Sequence, residues 1–203
     1  MEPSSTREYS FTLLLSGISA VDSTVENALC KAGCDDATIS VRSGRVCLTF
    51  SRAGKSLKAA ILSAIRSVKE SGISASVLRV EVGDIVAQFD IARRIDAGDL
   101  VTQSDIARRI GRSDQRIHEY IDGQRGYESF PPSVCCNSAG APLWYWCEVA
   151  YWLWENDVSH DGTLREAREV SVINSVLEFE YQRQVAPSLT EEIAESLDLF
   201  KPV

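Results

Sequence analysis

The chain has 203 residues, 44% hydrophobic and 25% charged, enough for one large domain or two small ones and ordinary for a globular protein. No apolar run is long enough to span a bilayer, and the opening MEPSSTREYS lacks a basic segment followed by an apolar stretch, so a cytoplasmic protein is expected. The net charge of −8 argues against a nonspecific nucleic-acid binder.

Charge is unevenly spread. Residues 1–83 carry 10 basic and 8 acidic side chains, residues 84–157 carry 7 and 12, and residues 158–203 carry 4 and 9. Most arginines of the middle segment fall in one cluster, and an acidic body with a local basic face can bind DNA specifically while repelling it elsewhere. The six cysteines, Cys30, Cys34, Cys47, Cys135, Cys136 and Cys147, form no CxxC pair, and only two histidines are present. Free buried thiols in a reducing compartment are expected, with no metal and no cofactor.

Residues 9–16 read as a strand, and 22–32 as a helix with Val25, Ala28, Leu29 and Ala32 on one face and Asp22 or Ser23 as its cap. Residues 37–42 and 45–51 alternate as strands about a Ser43-Gly44 turn. Residues 55–71 predict an amphipathic helix with Leu57, Ile61, Leu62, Ile65 and Val68 as its stripe, stopped by Gly72. Residues 76–82 alternate again. The order βαββαβ predicts a ferredoxin-like domain over 1–83, an arrangement that hosts many functions. Assembly or partner docking is the expected role, with small-molecule sensing as the alternative.

Residues 84–95, DIVAQFDIARRI, and 99–110, DLVTQSDIARRI, are identical at nine of twelve positions at an offset of fifteen, which indicates a local duplication. The first copy, in a segment over 84–98, is expected to be an extra helix, structural or contacting phosphate through Arg93 and Arg94.

The second copy opens the unit expected over 99–157. Thr102 caps a helix over 103–110, with Asp105 answering it. Ile106 and Ile110 face inward, and Ala107 permits a close crossing. Gly111 supplies the left-handed turn, and Ser113 caps a second helix over 114–121 with Ile117 and Ile121 inward. Small residue, glycine four later and β-branched residue six after that is helix-turn-helix spacing. In that motif the second helix enters the major groove. Its outward side chains are Arg112, Asp114, Gln115, Arg116, His118 and Glu119. Gln115 suits adenine and Arg116 guanine. His118 suits a base or a phosphate; Arg112, Ser113 and the helix N-terminus suit phosphate, and Arg108 and Arg109 are candidates for the DNA backbone.

A short strand, a turn at 137–140 and a strand over 143–146 predict a hairpin wing, followed by a helix over 148–156 with Val149, Trp152 and Leu153 inward. Trp144, Trp146, Trp152 and Trp154 are expected chiefly in the core. In SDIARRIGRSDQRIHEYI, then RG, FPPSV and PLWYWCEVAYWL, residues 101–154 resemble the winged helix-turn-helix of MerR-like, excisionase and AlpA-type bacterial DNA-binding proteins. The stretch GCDDATISVRSGRVCLTFSRAGKSLKAAILSAI extends the resemblance to small bacterial regulators that join an N-terminal segment to such a motif. The resemblance implies duplex DNA binding and transcriptional control or recombination directionality. The wing tip carries no basic residue, so Arg125 at its base is the better contact.

Residues 158–203 are expected to be helical. A helix over about 164–183 carries Leu164, Val170, Ile173, Leu177 and Tyr181, with Asn174 beside that stripe. A second over about 189–200 has Ser188 and Glu191 as a capping box and Ile193, Leu197 and Phe200 as its apolar face. A homodimer contact is the expected use, with Asn174 fixing the register of a helix pair. No phosphate-cradling glycine loop, histidine-rich metal set or Ser-His-Asp arrangement supports catalysis. The expectation is an α+β, non-enzymatic, homodimeric regulator of double-stranded DNA with no membrane association. A possible protein partner would dock on the N-terminal domain. The alternatives are an antitoxin-like or adaptor module and a small-molecule-gated regulator.

Overall fold

A computed structural model describes residues 7–42, 45–82, 99–123, 130–136 and 140–196. Strand β1 (Arg7–Ser16) leads to helix α1 (Ser23–Lys31), strands β2 (Ala37–Arg42) and β3 (Arg45–Gly54), helix α2 (Leu57–Glu70) and strand β4 (Ser76–Glu81). Asp22, one of the two expected caps, accepts from the Val25 N–H at 2.9 Å. Ser56 caps α2 through the Ala59 N–H. The Ser43-Gly44 turn lies outside the described residues.

The four strands are antiparallel in the order β2-β3-β1-β4. Alternation sends Phe11, Leu13 and Leu15 of β1 and Val46, Leu48 and Phe50 of β3 to the face that packs on α1 and α2. The expected stripe of α2 lies in that core, with Leu62 at its margin. Burying each such side chain contributes about 1.5–3 kcal/mol. Arg52 pins the loop before β2. It donates to both Asp36 carboxylate oxygens at 2.7 Å and to the Gly33 carbonyl, and lies over the Phe50 ring.

The opposite face of the sheet combines polar side chains with the buried Leu14 and Cys47. Thr12 and Thr49 hydrogen-bond across β1 and β3. Glu81 stands opposite Thr12 in register and is buried. Burial pushes its carboxyl above the usual carboxylate range, and Asp99 nearby adds to this against the pull of Arg79 and Arg42. A raised folded-state pKa stabilises the protein fully below the unfolded value, and that stability is lost as pH rises through the folded value. Glu81→Gln is therefore expected to flatten the decline in stability as pH rises from the ordinary carboxylate range toward neutrality and to be the more stable form at neutral pH. Urea midpoints measured across that range check it, and a decline of unchanged steepness in the variant counts against it.

A second, three-stranded sheet has the order β5-β7-β6, from β5 (Leu100–Val101), β6 (Cys135–Cys136) and β7 (Pro142–Tyr145). Helices α3 (Gln103–Ile110), α4 (Asp114–Ile121) and α5 (Trp146–Glu155) pack with it. The expected strand over 143–146 ends one residue early, because Trp146 opens α5.

Helix α6 (Asp161–Val185) crosses both cores. Val170 and Ile173 join the first, and Leu164 and Ala167 join the second. Of the stripe expected at a homodimer contact, Leu164, Val170, Ile173 and Leu177 are thus spent inside the protomer. Asn174 is corrected as well. Its side chain accepts from the Val80 N–H at 2.8 Å and donates to the Val80 carbonyl at 3.0 Å, so it closes the outer edge of β4. Helix α7 (Pro187–Ser196) starts at proline, whose fixed φ and missing N–H suit a first helical position, in place of the expected Ser188 cap. Its Leu189 and Ile193 are exposed, while Leu197 and Phe200 lie outside the described residues. Among the described residues no helix is long and apolar enough to cross a membrane. All six cysteines are free; Cys30 and Cys136 are exposed, contrary to the expected burial, while Cys34 and Cys47 are buried.

Candidate nucleic-acid interface

The segment from Thr102 to Ile121 forms two short helices stopped and started by local chemistry. Thr102 accepts from the Asp105 N–H at 3.2 Å, and the Asp105 carboxylate accepts from the Thr102 N–H at 3.0 Å, which completes a capping box. Gly111 adopts φ 63° and ψ 38°, and Arg112 then donates its N–H to the Ala107 carbonyl at 2.9 Å. A Cβ at Gly111 would meet nothing within 4 Å. The left-handed backbone, not lack of space, therefore calls for glycine. Ser113 caps α4 by accepting from the Arg116 N–H at 3.3 Å.

Ile106, Ala107, Ile117 and Tyr120 bury the facing sides of α3 and α4. Ile110 and Ile121 pack at the margin. Tyr120 was hidden in the sequence by its polar hydroxyl; its spacing of three from Ile117 was the available signal. Two further contacts escape sequence reading. Gln103 donates to the Asp114 carbonyl at 2.9 Å, and Ser104 donates to the Asp114 carboxylate at 3.0 Å. Asp114, expected to point outward, is thereby tied back to α3.

The outward face carries most of the expected contacts. Arg112, Ser113, Gln115 and His118 are exposed, and Arg116 is half-buried. Arg116 pairs with Glu119 at 2.8 Å, His118 lies 3.3 Å from the Asp122 carboxylate, and Arg108, exposed on α3, pairs with Asp105. Surface pairs of this kind are worth about 0–1 kcal/mol, so exchanging one for a phosphate or base contact costs little. Arg112 makes no ion pair among the described residues. The hydroxyl of Ser113 accepts as a cap and retains its proton for an outside acceptor.

Arg109 is the correction. Its guanidinium is largely buried, donates to both Asp99 oxygens at 2.6 and 3.1 Å and to the Val82 carbonyl at 2.6 Å, and lies 5.0 Å over the Trp146 ring. The Trp146 N–H in turn donates to the Asp99 carbonyl at 2.8 Å. Its place on α3 turns it toward the end of β4, away from the outward face of α4. Arg125 lies outside the described residues, as does the first copy of the duplicated segment, 84–95, with Arg93 and Arg94.

Behind the two helices the aromatic residues make a wall. Trp152 packs on Tyr120 and, edge-on, on Phe130, which also meets Trp144 edge-on. Trp144 donates its indole N–H to the Pro131 carbonyl at 2.9 Å. Three of the four tryptophans are buried as expected; Trp154 is 40% exposed and donates to Asp161. The tip of the β6–β7 connection at 137–139 lies outside the described residues. Comparison with protein-family models, curated proteins and solved structures finds no match for the chain.

Proposed function

We propose that the chain is a non-enzymatic, cytoplasmic regulator that binds double-stranded DNA in a sequence-specific way, as a homodimer on paired half-sites. One observation carries the reading. The α3–Gly111–α4 unit is capped at both starts and buried on its inner side, yet keeps Arg112, Ser113 and Gln115 exposed at the beginning of α4 and His118 exposed in its last turn. The start of a second helix is where base edges are reached in this motif, and its N-terminal N–H groups favour phosphate. The β6–β7 pair after α4, joined by β5, supports a winged form of the motif, in line with the resemblance of residues 101–154. The order β2-β3-β1-β4 supports a ferredoxin-like reading of the first unit.

In this account Gln115 and Arg116 read bases, Arg108, Arg112 and Ser113 hold phosphate, and His118 serves either. Arg116→Ala is expected to weaken binding to a selected duplex by about 1–3 kcal/mol and to relax preference at one base position. Fluorescence anisotropy on fragments enriched from random duplex DNA measures this, and an unchanged affinity removes Arg116 from the reading set. One observation favours a protein-docking use of the same face: Arg108, Arg116 and His118 already have acidic neighbours. On that reading the same selection enriches no sequence.

A further inference from the structure

The two edges of the four-stranded sheet are treated differently. The β4 edge is closed by the Asn174 amide. The β2 edge has no strand partner on its outer side among the described residues. Such an edge is a template for another strand unless it is blocked by proline, lysine, a bulge or a covering element. Residues 37–42, ATISVR, contain neither proline nor lysine, and the pairing of β2 with β3 runs without a bulge.

We propose that β2 pairs antiparallel with β2 of a second copy about a two-fold axis at Ile39, joining two four-stranded sheets into one of eight. The phase of the ladder permits it. The Asp36 carbonyl accepts from the Ser51 N–H on β3, so alternation turns residues 38, 40 and 42 toward β3 as well. The N–H and C=O groups of Ile39 and Val41 then point off the edge. With Ile39 opposite its own copy, Thr38 faces Ser40, Ala37 faces Val41 and Asp36 faces Arg42 of the second copy.

Two of these pairings answer something in the single chain. The Ser40 hydroxyl is enclosed without a hydrogen-bond partner, and a rotamer turned to the edge would find one in exposed Thr38 of the second copy. Val41 is 50% exposed on the side of the sheet that packs on the helices, and Ala37 of the second copy would extend the apolar layer over it. The strand is self-complementary in hydroxyls and in apolar contact, as a two-fold interface requires. The pairing names the surface for the homodimer proposed above, and it is tested without DNA, so its failure leaves DNA binding by a protomer standing.

Sedimentation equilibrium of the full chain tests it with Val41→Pro and Val41→Lys. Proline at 41 removes an N–H that points off the edge and leaves the ladder to β3 intact; lysine blocks the edge by charge. The wild type is expected to dimerise, and each variant that retains the wild-type circular dichroism is expected to raise the dimer Kd tenfold or more. Hydrogen exchange at the Ile39 and Val41 amides is expected to slow as wild-type concentration rises. Val176→Asp, on the exposed side of α6, is the comparison and should leave the dimer Kd unchanged. A monomeric wild type overturns the proposal. So does a dimer that survives in the folded Val41 variants, or one lost only in Val176→Asp. Should Val41→Pro fail to fold, Val41→Lys decides.

Discussion

Arg109→Ala is expected to lower the free energy of unfolding by about 3–5 kcal/mol, the usual consequence of removing one member of a buried ion pair. The reason lies in what remains. Asp99 is 8% exposed and would be left as an uncompensated carboxylate beneath Trp146, while the Val82 carbonyl loses its donor. The position joins three elements: α3 through Arg109, the approach to β5 through Asp99, and the end of β4 through Val82. Loosening it should therefore destabilise the first unit and the helix pair together. Urea unfolding of the single variants and of Arg109→Ala/Asp99→Ala measures the coupling, and the double variant should cost less than the sum of the singles. Additive losses would show that the pair is not what holds the junction. The same variant separates the structural role from DNA contact. At temperatures where it stays folded, the salt dependence of its DNA binding should match that of the wild type.

Trp152→Ala carries the other large effect, about 3–5 kcal/mol for deleting a buried aromatic side chain. The ring is 4% exposed and fills the space between Tyr120 on α4 and Phe130, at centroid distances of 5.5 and 4.9 Å. The void would open directly behind α4, so the variant should lose DNA affinity although residue 152 faces away from the groove. Trp152→Phe keeps most of the volume and should recover most of both losses. Thermal unfolding with anisotropy on one duplex checks the link; a variant that is destabilised yet binds as tightly at low temperature would break it.

Local chemistry was the legible part. The caps at Asp22, Thr102 and Ser113, the left-handed turn at Gly111 and the stripe of α2 all follow from residues within one helical turn of each other. Period-two alternation likewise locates β1 to β4. Contacts between distant segments were not legible. Arg109 and Arg108 are neighbours in a basic pair, and only the fold decides that one turns inward to Asp99 while the other stays at the surface. Asn174 has the pattern of a residue inside a helix pair, but its partner is the backbone of Val80, 94 residues away. Strand β5 has two residues, too few for any periodicity, and exists because β7 lies beside it. The stripe of α6 showed that the helix buries a face without showing that it would be divided between two cores.

Salt-dependent binding to duplex DNA tests the central claim most directly. Neutralising a phosphate gives a slope of about −0.9 in log K against log salt, so Arg108 and Arg112 predict about −1.8 for a protomer and about twice that for a dimer. Reversing both charges, as Arg108→Glu/Arg112→Glu, should abolish the slope together with the binding. Absence of duplex binding by the folded wild type at low salt, or a slope that both reversed charges leave unchanged, would contradict the account.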